Sequence, residues 1–128
     1  MYGIIKVGSI NCLIEEELCE EFGAYEIPQI MIFSESIKED GERYRGKEDI
    51  NSMANAAAKK MQNFVSIITE SNYPSFCERE KTKHHVILFT DKKSTPAILK
   101  SLSKKYIDRL LIGEVRTSET NLIQKFGI

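Results

Sequence analysis

Apolar and polar positions follow one another with two rhythms along this chain. Ile4, Ile5 and Val7 form a short apolar run that predicts a buried strand ending near residues 8–11. Ile14, Leu18 and Phe22 then recur every four residues, one face of a helix over 14–22. The outer face of that helix is Glu15, Glu16, Glu17, Glu20 and Glu21, which reads as a solvated face. Gly23 follows, a residue suited to the left-handed conformation that ends helices. Residues 30–33 (I-M-I-F) predict a second strand directly after Pro28. Proline cannot give an N–H to a ladder and so belongs at a strand's start or edge. Glu39-Asp40-Gly41 marks a turn into a short strand over 43–45, making a hairpin. Gly46 breaks it, and Glu48 and Asp49 open a long helix, where the dipole favours them. Ile50, Met53, Ala57, Met61, Phe64 and Ile68 space by threes and fours, predicting a helical stripe of about six turns.

Residues 71–75 (S-N-Y-P-S) end that helix and make the best domain boundary, dividing the chain into 1–71 and 72–128. Past it, Phe76-Cys77 predicts an edge strand and 78–83 a charged turn. Residues 85–89 (H-V-I-L-F) are the strongest strand pattern and read as a central parallel strand, buried on both faces. A polar loop over 90–95 leads to Pro96, which suits a helix's first turn. Ile98 or Leu99, with Leu102 and Tyr106, supplies that helix's apolar face. Residues 110–115 predict another strand, and Thr117 or Ser118 caps a last helix that buries Leu122 and Phe126.

Length and composition narrow the classes. The chain has 128 residues and is 41% hydrophobic, enough for one modest globular domain. No apolar run approaches the ~18 residues of a membrane helix, so no membrane insertion is expected. A net charge of −1 gives no global argument for nucleic acid. The lysines at 92, 93, 100, 104 and 105 make a basic face that lacks aromatic interleaving. The three cysteines, Cys12, Cys19 and Cys77, form no C-x-x-C pair. His84-His85 reads as a solvated strand start, and neither metal nor cofactor is expected.

L-C-E-E-F-G-A-Y-E-I-P-Q-I-M-I-F over 18–33, followed by Tyr44-Arg45-Gly46 and a helix, resembles the C-terminal half of a thioredoxin domain. The resemblance is to protein disulfide isomerases and thioredoxin-domain DnaJ proteins. It implies an α/β, thioredoxin-like fold with a central mixed sheet flanked by helices. It also implies a cis proline at Pro28, beside a surface where the family holds extended or unfolded polypeptide; Tyr25, Ile27 and Gln29 would border it. Trp, common in the family's active-site strand, is absent here.

The last strand and helix echo the first. Val7-Gly8-Ser9-Ile10 matches Ile112-Gly113-Glu114-Val115, and Leu18, Phe22 and Gly23 match Leu122, Phe126 and Gly127. On this reading the chain joins the C-terminal part of one thioredoxin-like domain (1–71) to the N-terminal part of a second (72–128). Two expectations stand: a truncated product or incomplete gene model, or two halves folding together as one permuted domain. Exchange of half-domains between two chains would make a dimer.

The family's redox motif lies after the central strand, at a helix N-terminus that lowers a thiol's pKa. That place here is Ser94-Thr95-Pro96-Ala97, by an ungapped count from Phe89. A gapped count lets Pro96 match a proline further along the helix. Neither register supplies a cysteine, and a hydroxyl cannot exchange disulfides, so no catalysis is expected of this chain; the resemblance implies a peptide-binding or spacer segment of a folding factor. Cys12 and Cys19 flank the turn into the acidic helix and could reach the ~5.5 Å Cα spacing of a disulfide. The resemblance implies a structural disulfide there; two buried free thiols is the alternative. Cys77 reads as a strand-edge thiol. The resemblance places the protein in the endoplasmic reticulum lumen. Residues 1–10 carry no signal-peptide pattern, which points to the cytosol or to a leader lying elsewhere.

Overall fold

The structure, a computed structural model, describes residues 4–34 and 41–128. It falls into two compact units, Met1–Met61 and Gln62–Ile128. The division thus comes earlier than the 71/72 boundary expected from the loop signal.

In the first unit, residues 6–11 form no strand, and Val7 and Ile10 are exposed. The expected strand over 4–10 is therefore absent: a short β-branched run becomes a strand only where a neighbour takes its backbone groups. Asn11 starts the turn instead, its Oδ1 accepting the Leu13 N–H at 3.0 Å. Helix α1 covers Glu16–Glu21, shorter than expected, and leaves Ile14 outside it and exposed. Gly23, at φ +65°, closes it. The Gly23 N–H donates to the Glu20 carbonyl (3.0 Å) and the Ala24 N–H to the Cys19 carbonyl (2.8 Å), the two bonds of a Schellman end. Strands β1 (Met31–Ile32) and β2 (Glu42–Arg43) pair antiparallel, Met31 opposite Arg43. The Glu39-Asp40 part of the expected turn lies outside the described residues. Helix α2 covers Ile50–Lys60, with Asp49 as its N-cap accepting the Ser52 N–H at 2.9 Å.

The long helical stripe does not continue. Met61 is extended (φ −65°, ψ 138°), and Phe64 and Ile68 belong to the second unit, the latter in strand β3 (Ser66–Ile68). F-V-S-I-I fits a helical spacing, but its β-branched residues and the burial of Ile68 at 1% exposure favour the strand. Helix α3 covers Tyr73–Glu78, with Pro74 in its first turn. It replaces the expected loop and Phe76-Cys77 strand, because Phe76 is buried from a helix. Strand β4 (His84–Thr90), helix α4 (Ala97–Lys105), strand β5 (Leu110–Arg116) and helix α5 (Thr120–Lys125) complete the unit.

These strands form a parallel sheet in the order β3-β5-β4. The parallel and antiparallel parts of the mixed sheet are thus carried by separate units. The central strand is β5, buried along Leu111 to Val115, while β4 lies at an edge with Val86 42% exposed. The apolar run of β4 matched a central strand, yet β5 has the two neighbours. On one face Ile68, Phe76, Leu111, Val115 and Leu122 pack with Ile87 and Phe89. On the other, Val65, Leu99 and Ile112 pack with Leu88 and Leu110. Leu99, not Ile98, is the buried face of α4, and Pro96 is its N-cap. Glu119, rather than Thr117 or Ser118, precedes α5. Leu122 is buried as expected, whereas Phe126 is 40% exposed and packs its ring edge against Tyr73.

The internal echo reappears at the helix ends only. Gly127 (φ +70°) repeats the role of Gly23, its N–H donating to Gln124 (3.0 Å) while the Ile128 N–H donates to Ile123 (3.1 Å). The matching tetrapeptides differ: 112–115 is central strand, and 7–10 is none.

Candidate functional site

In the first unit, α1 ends at Gly23 and the chain runs through Tyr25, Ile27 and Pro28 into β1. The Ile27–Pro28 peptide is cis. Tyr25 is 82% and Ile27 69% exposed, and Pro28 is exposed as well. Apolar side chains so open to water are a surface that a partner can cover. Two features anchor the segment. Glu26 forms an ion pair with Arg43 of β2. The hydrogen bond from Arg43 holds the Glu26 carboxyl below its ordinary value, helped by the charges of Arg43 and Arg45. The Tyr44 N–H donates to the Ile30 carbonyl at 2.8 Å, extending the hairpin. Between these elements lies a groove of about 470 Å³ bordered by Pro28, Gln29, Ile30 and Arg45. The Gln29 Oε1 is buried there without a partner. Tyr25 and Ile27 do not line this groove; they stand at the open surface beside it.

Cys12 and Cys19 are joined in a disulfide, with Cα atoms 5.7 Å apart. It ties the turn at Asn11 to α1. Cys19 is the only buried hydrophobic residue of the first unit among those described.

In the second unit, Ser94-Thr95-Pro96-Ala97 lies at the start of α4. Ser94 is exposed, and Thr95 turns inward. The Thr95 hydroxyl donates to Glu114 Oε1 at 2.7 Å and accepts from Asn63 Nδ2 at 3.2 Å. Glu114 sits in the central strand at 0% exposure, and Arg116 Nη2 also donates to its Oε1, at 2.6 Å. Glu114 Oε2 and Arg116 Nη1 are both buried and unpartnered. A buried carboxylate is costly unless paired and hydrogen-bonded, so this network closes around Thr95. Glu114 is marked in the sequence only as one acid inside the apolar run L-L-I-G-E-V.

Cys77 lies on α3 and not on a strand; it is half-buried and free. The hydrogen bond between its thiol and the Tyr73 hydroxyl pushes the tyrosine's pKa up, with burial adding to it. The His85 ring bonds the Arg79 carbonyl through Nε2 at 2.8 Å, and no group of three ligating side chains occurs among the described residues. No helix there is long and apolar enough to cross a membrane.

No protein-family model matches the chain. It is 30% identical, over 131 aligned positions, to a Dictyostelium discoideum protein designated a candidate protein disulfide-isomerase. That alignment takes in 98% of this chain and 32% of the relative, so the chain spans about a third of it. Crystal structures of ERdj5 share the fold. Form I superposes with a TM-score of 0.62 at 21% identity, over 99% of this chain and 18% of ERdj5. Form II gives 0.61 at 20% identity, over 94% and 17%. With the β3-α3-β4-α4-β5-α5 unit and the cis-proline hairpin already in hand, the chain has a thioredoxin-like fold and is similar in sequence to part of a candidate protein disulfide-isomerase.

Proposed function

We propose that this chain is a non-catalytic, thioredoxin-like segment of a folding factor. In this reading it holds extended or unfolded polypeptide along the surface of Tyr25, Ile27, Pro28 and Gln29, in the endoplasmic reticulum lumen. It joins the C-terminal part of one thioredoxin-like domain to the N-terminal part of a second. One observation carries the non-catalytic part. The helix start that would hold the reactive thiols has Ser94, Thr95, Pro96 and Ala97, with the Thr95 hydroxyl occupied by Glu114. The exposure of Tyr25 and Ile27 supports the polypeptide surface. An extended peptide offers apolar side chains to such a patch.

The test is amide-resolved titration of the chain with an unfolded, apolar peptide. Shifts confined to residues 24–30 are expected, and Ile27→Asp abolishes them. Shifts absent at saturating peptide, or unaffected by Ile27→Asp, would refute the surface. Insulin reduction by dithiothreitol should proceed at the background rate with the chain present. Acceleration abolished by Cys12→Ala or Cys19→Ala would overturn the non-catalytic reading.

A second reading rests on the span of about a third of the Dictyostelium relative. Here the chain is a piece of an active disulfide isomerase whose C-x-x-C lies outside it. A C-x-x-C encoded about 30 residues before Met1, following a strand pattern, would support that reading; its absence would remove it.

A further inference from the structure

The first unit ends at Met61 and the second begins at Gln62. From Asn63 onward, the joining segment is held by α4 and the turn that opens it. Asn63 Nδ2 donates to the Thr95 hydroxyl (3.2 Å), and Asn63 Oδ1 accepts the Val65 N–H (3.0 Å). The Phe64 N–H donates to Ser103 Oγ at 3.3 Å. The buried Val65 side chain packs with Leu99 and Ile112. Ser103 stands four residues after Leu99, on the buried face of α4, at 3% exposure. A hydroxyl so buried is costly unless it is hydrogen-bonded. That of Ser103 donates to the Lys100 carbonyl at 2.7 Å and accepts from Phe64. That of Thr95 donates to Glu114 and accepts from Asn63. Both hydroxyls therefore turn their acceptor side to the segment between the units.

We propose that α4 and the turn before it form a clasp on the joining segment. Thr95 and Ser103 fasten Asn63 and Phe64 to the second unit and leave Met61 and Gln62 as the joint between the units. The helix start that aligns with the family's redox motif then serves position instead of chemistry. Its geometry follows from Glu114. A carboxylate only accepts, so it takes the Thr95 proton and leaves the lone pairs of that hydroxyl to the Asn63 amide. The Asn63 carbonyl oxygen is engaged by the Val65 N–H, which turns Nδ2 toward Thr95. Arg116 Nη2 fixes Glu114 Oε1 in turn, at 2.6 Å. Glu114 is thus a positioning residue: the central strand sets the Thr95 hydroxyl, and Thr95 sets the segment. The clasp is also releasable. Asn63 is exposed, and a single hydrogen bond of this kind contributes modestly. Its loss frees the chain as far as Val65, the next fixed point. The clasp is independent of polypeptide binding at Tyr25 and Ile27.

The test is amide hydrogen exchange and nitrogen relaxation on the full chain. In the parent, residues 63–65 should relax like β5, with excess motion at Met61 and Gln62. Asn63→Ala and Thr95→Val are then compared singly and together. The readout is the Phe64 amide, because neither change touches its acceptor, Ser103. Exchange there is taken relative to the amides of β5, so that a general loss of stability cancels. Each single variant should speed it about five- to tenfold. The double variant should do no more than either one, since both remove the same contact. Thr95→Ser keeps the hydroxyl and should behave as the parent. Asn63→Ala changes an exposed side chain and leaves the Thr95–Glu114 bond alone, so it decides the matter even where Thr95→Val disturbs folding. Phe64 exchange unchanged in Asn63→Ala would overturn the proposal. So would additive effects of the two changes, or equal motion across residues 61–65 in the parent.

Discussion

Breaking the Cys12–Cys19 disulfide should loosen the first unit and leave the second intact. Cys19 is the only buried hydrophobic side chain described in residues 4–61, whereas the second unit buries two apolar clusters. The first unit therefore leans on its covalent link. The bond closes a loop of sequence separation 7. With a loop of about 8 residues, the chain-entropy relation gives about 2.5 kcal/mol at 25 °C. A Cys12→Ala/Cys19→Ala variant also loses the buried sulfur, so this figure is a lower bound for the mutant. For so small a unit, a urea slope of about 1 kcal/mol/M turns that into a midpoint shift of about 2.5 M. The assay is urea unfolding read from resolved amide signals of both units, oxidised and reduced. Signals of α1 and the β1–β2 hairpin should lose their structure at far lower urea when reduced, while those of β3, β4 and β5 keep their midpoint. Equal midpoints for the first unit in both redox states would refute the reasoning. A shift of equal size in both units would refute the independence of the second.

Glu114→Ala should destabilise the second unit by about 3–5 kcal/mol, because it strands the partly buried Arg116; Glu114→Leu/Arg116→Met should cost much less, and thermal unfolding of the three proteins decides. Gly113→Ala puts a Cβ onto Ile68 Cδ1, with Ile68 Cγ1 at 2.9 Å and Phe76 Cε2 at 3.0 Å. It should cost about 1–3 kcal/mol by overpacking, and a variant as stable as the parent would show that the β3–β5–α3 packing is looser than described. The Asp49 carboxyl lies below its ordinary value of 3.8, held first by the Ser52 hydroxyl and then by the Ser52 N–H. A lowered folded-state pKa adds stability that is full above the unfolded value and lost as pH falls through the folded one. The helicity of α2 should therefore drop below about pH 4, and Asp49→Asn should flatten that acid limb in circular dichroism.

Local chemistry was legible where it depended on the residues themselves. Gly23 closing α1, the proline before β1, the parallel run 85–89, the strand 110–115 and the helix after Pro96 all follow from backbone preference and periodicity in a few residues. The resemblance to a thioredoxin domain rested on the same short stretches. Tyr25, Ile27 and Pro28 were singled out by the family resemblance alone. Gln29's unpartnered oxygen was not, since satisfaction of a polar atom depends on what surrounds it.

What only tertiary structure decided was which apolar run gains two neighbours. Residues 4–7 and 110–115 carry similar patterns, yet one stays outside any strand and the other becomes the centre of the sheet. Residues 64–68 fit a helical stripe, yet Ile68 packs with Phe76 and Val115 from β3, and residues 64 and 65 lead into that strand. His85 to Phe89 reads as an inner strand, while the sheet order leaves it at the edge. Glu114 shows in the sequence only as one acid inside an apolar run, because its meaning comes from Asn63, Thr95 and Arg116, which sequence keeps apart and the fold brings together. Periodicity records how a segment would pair if a partner were present; the partners are set by long-range packing, whose energy exceeds the local preferences of any five residues.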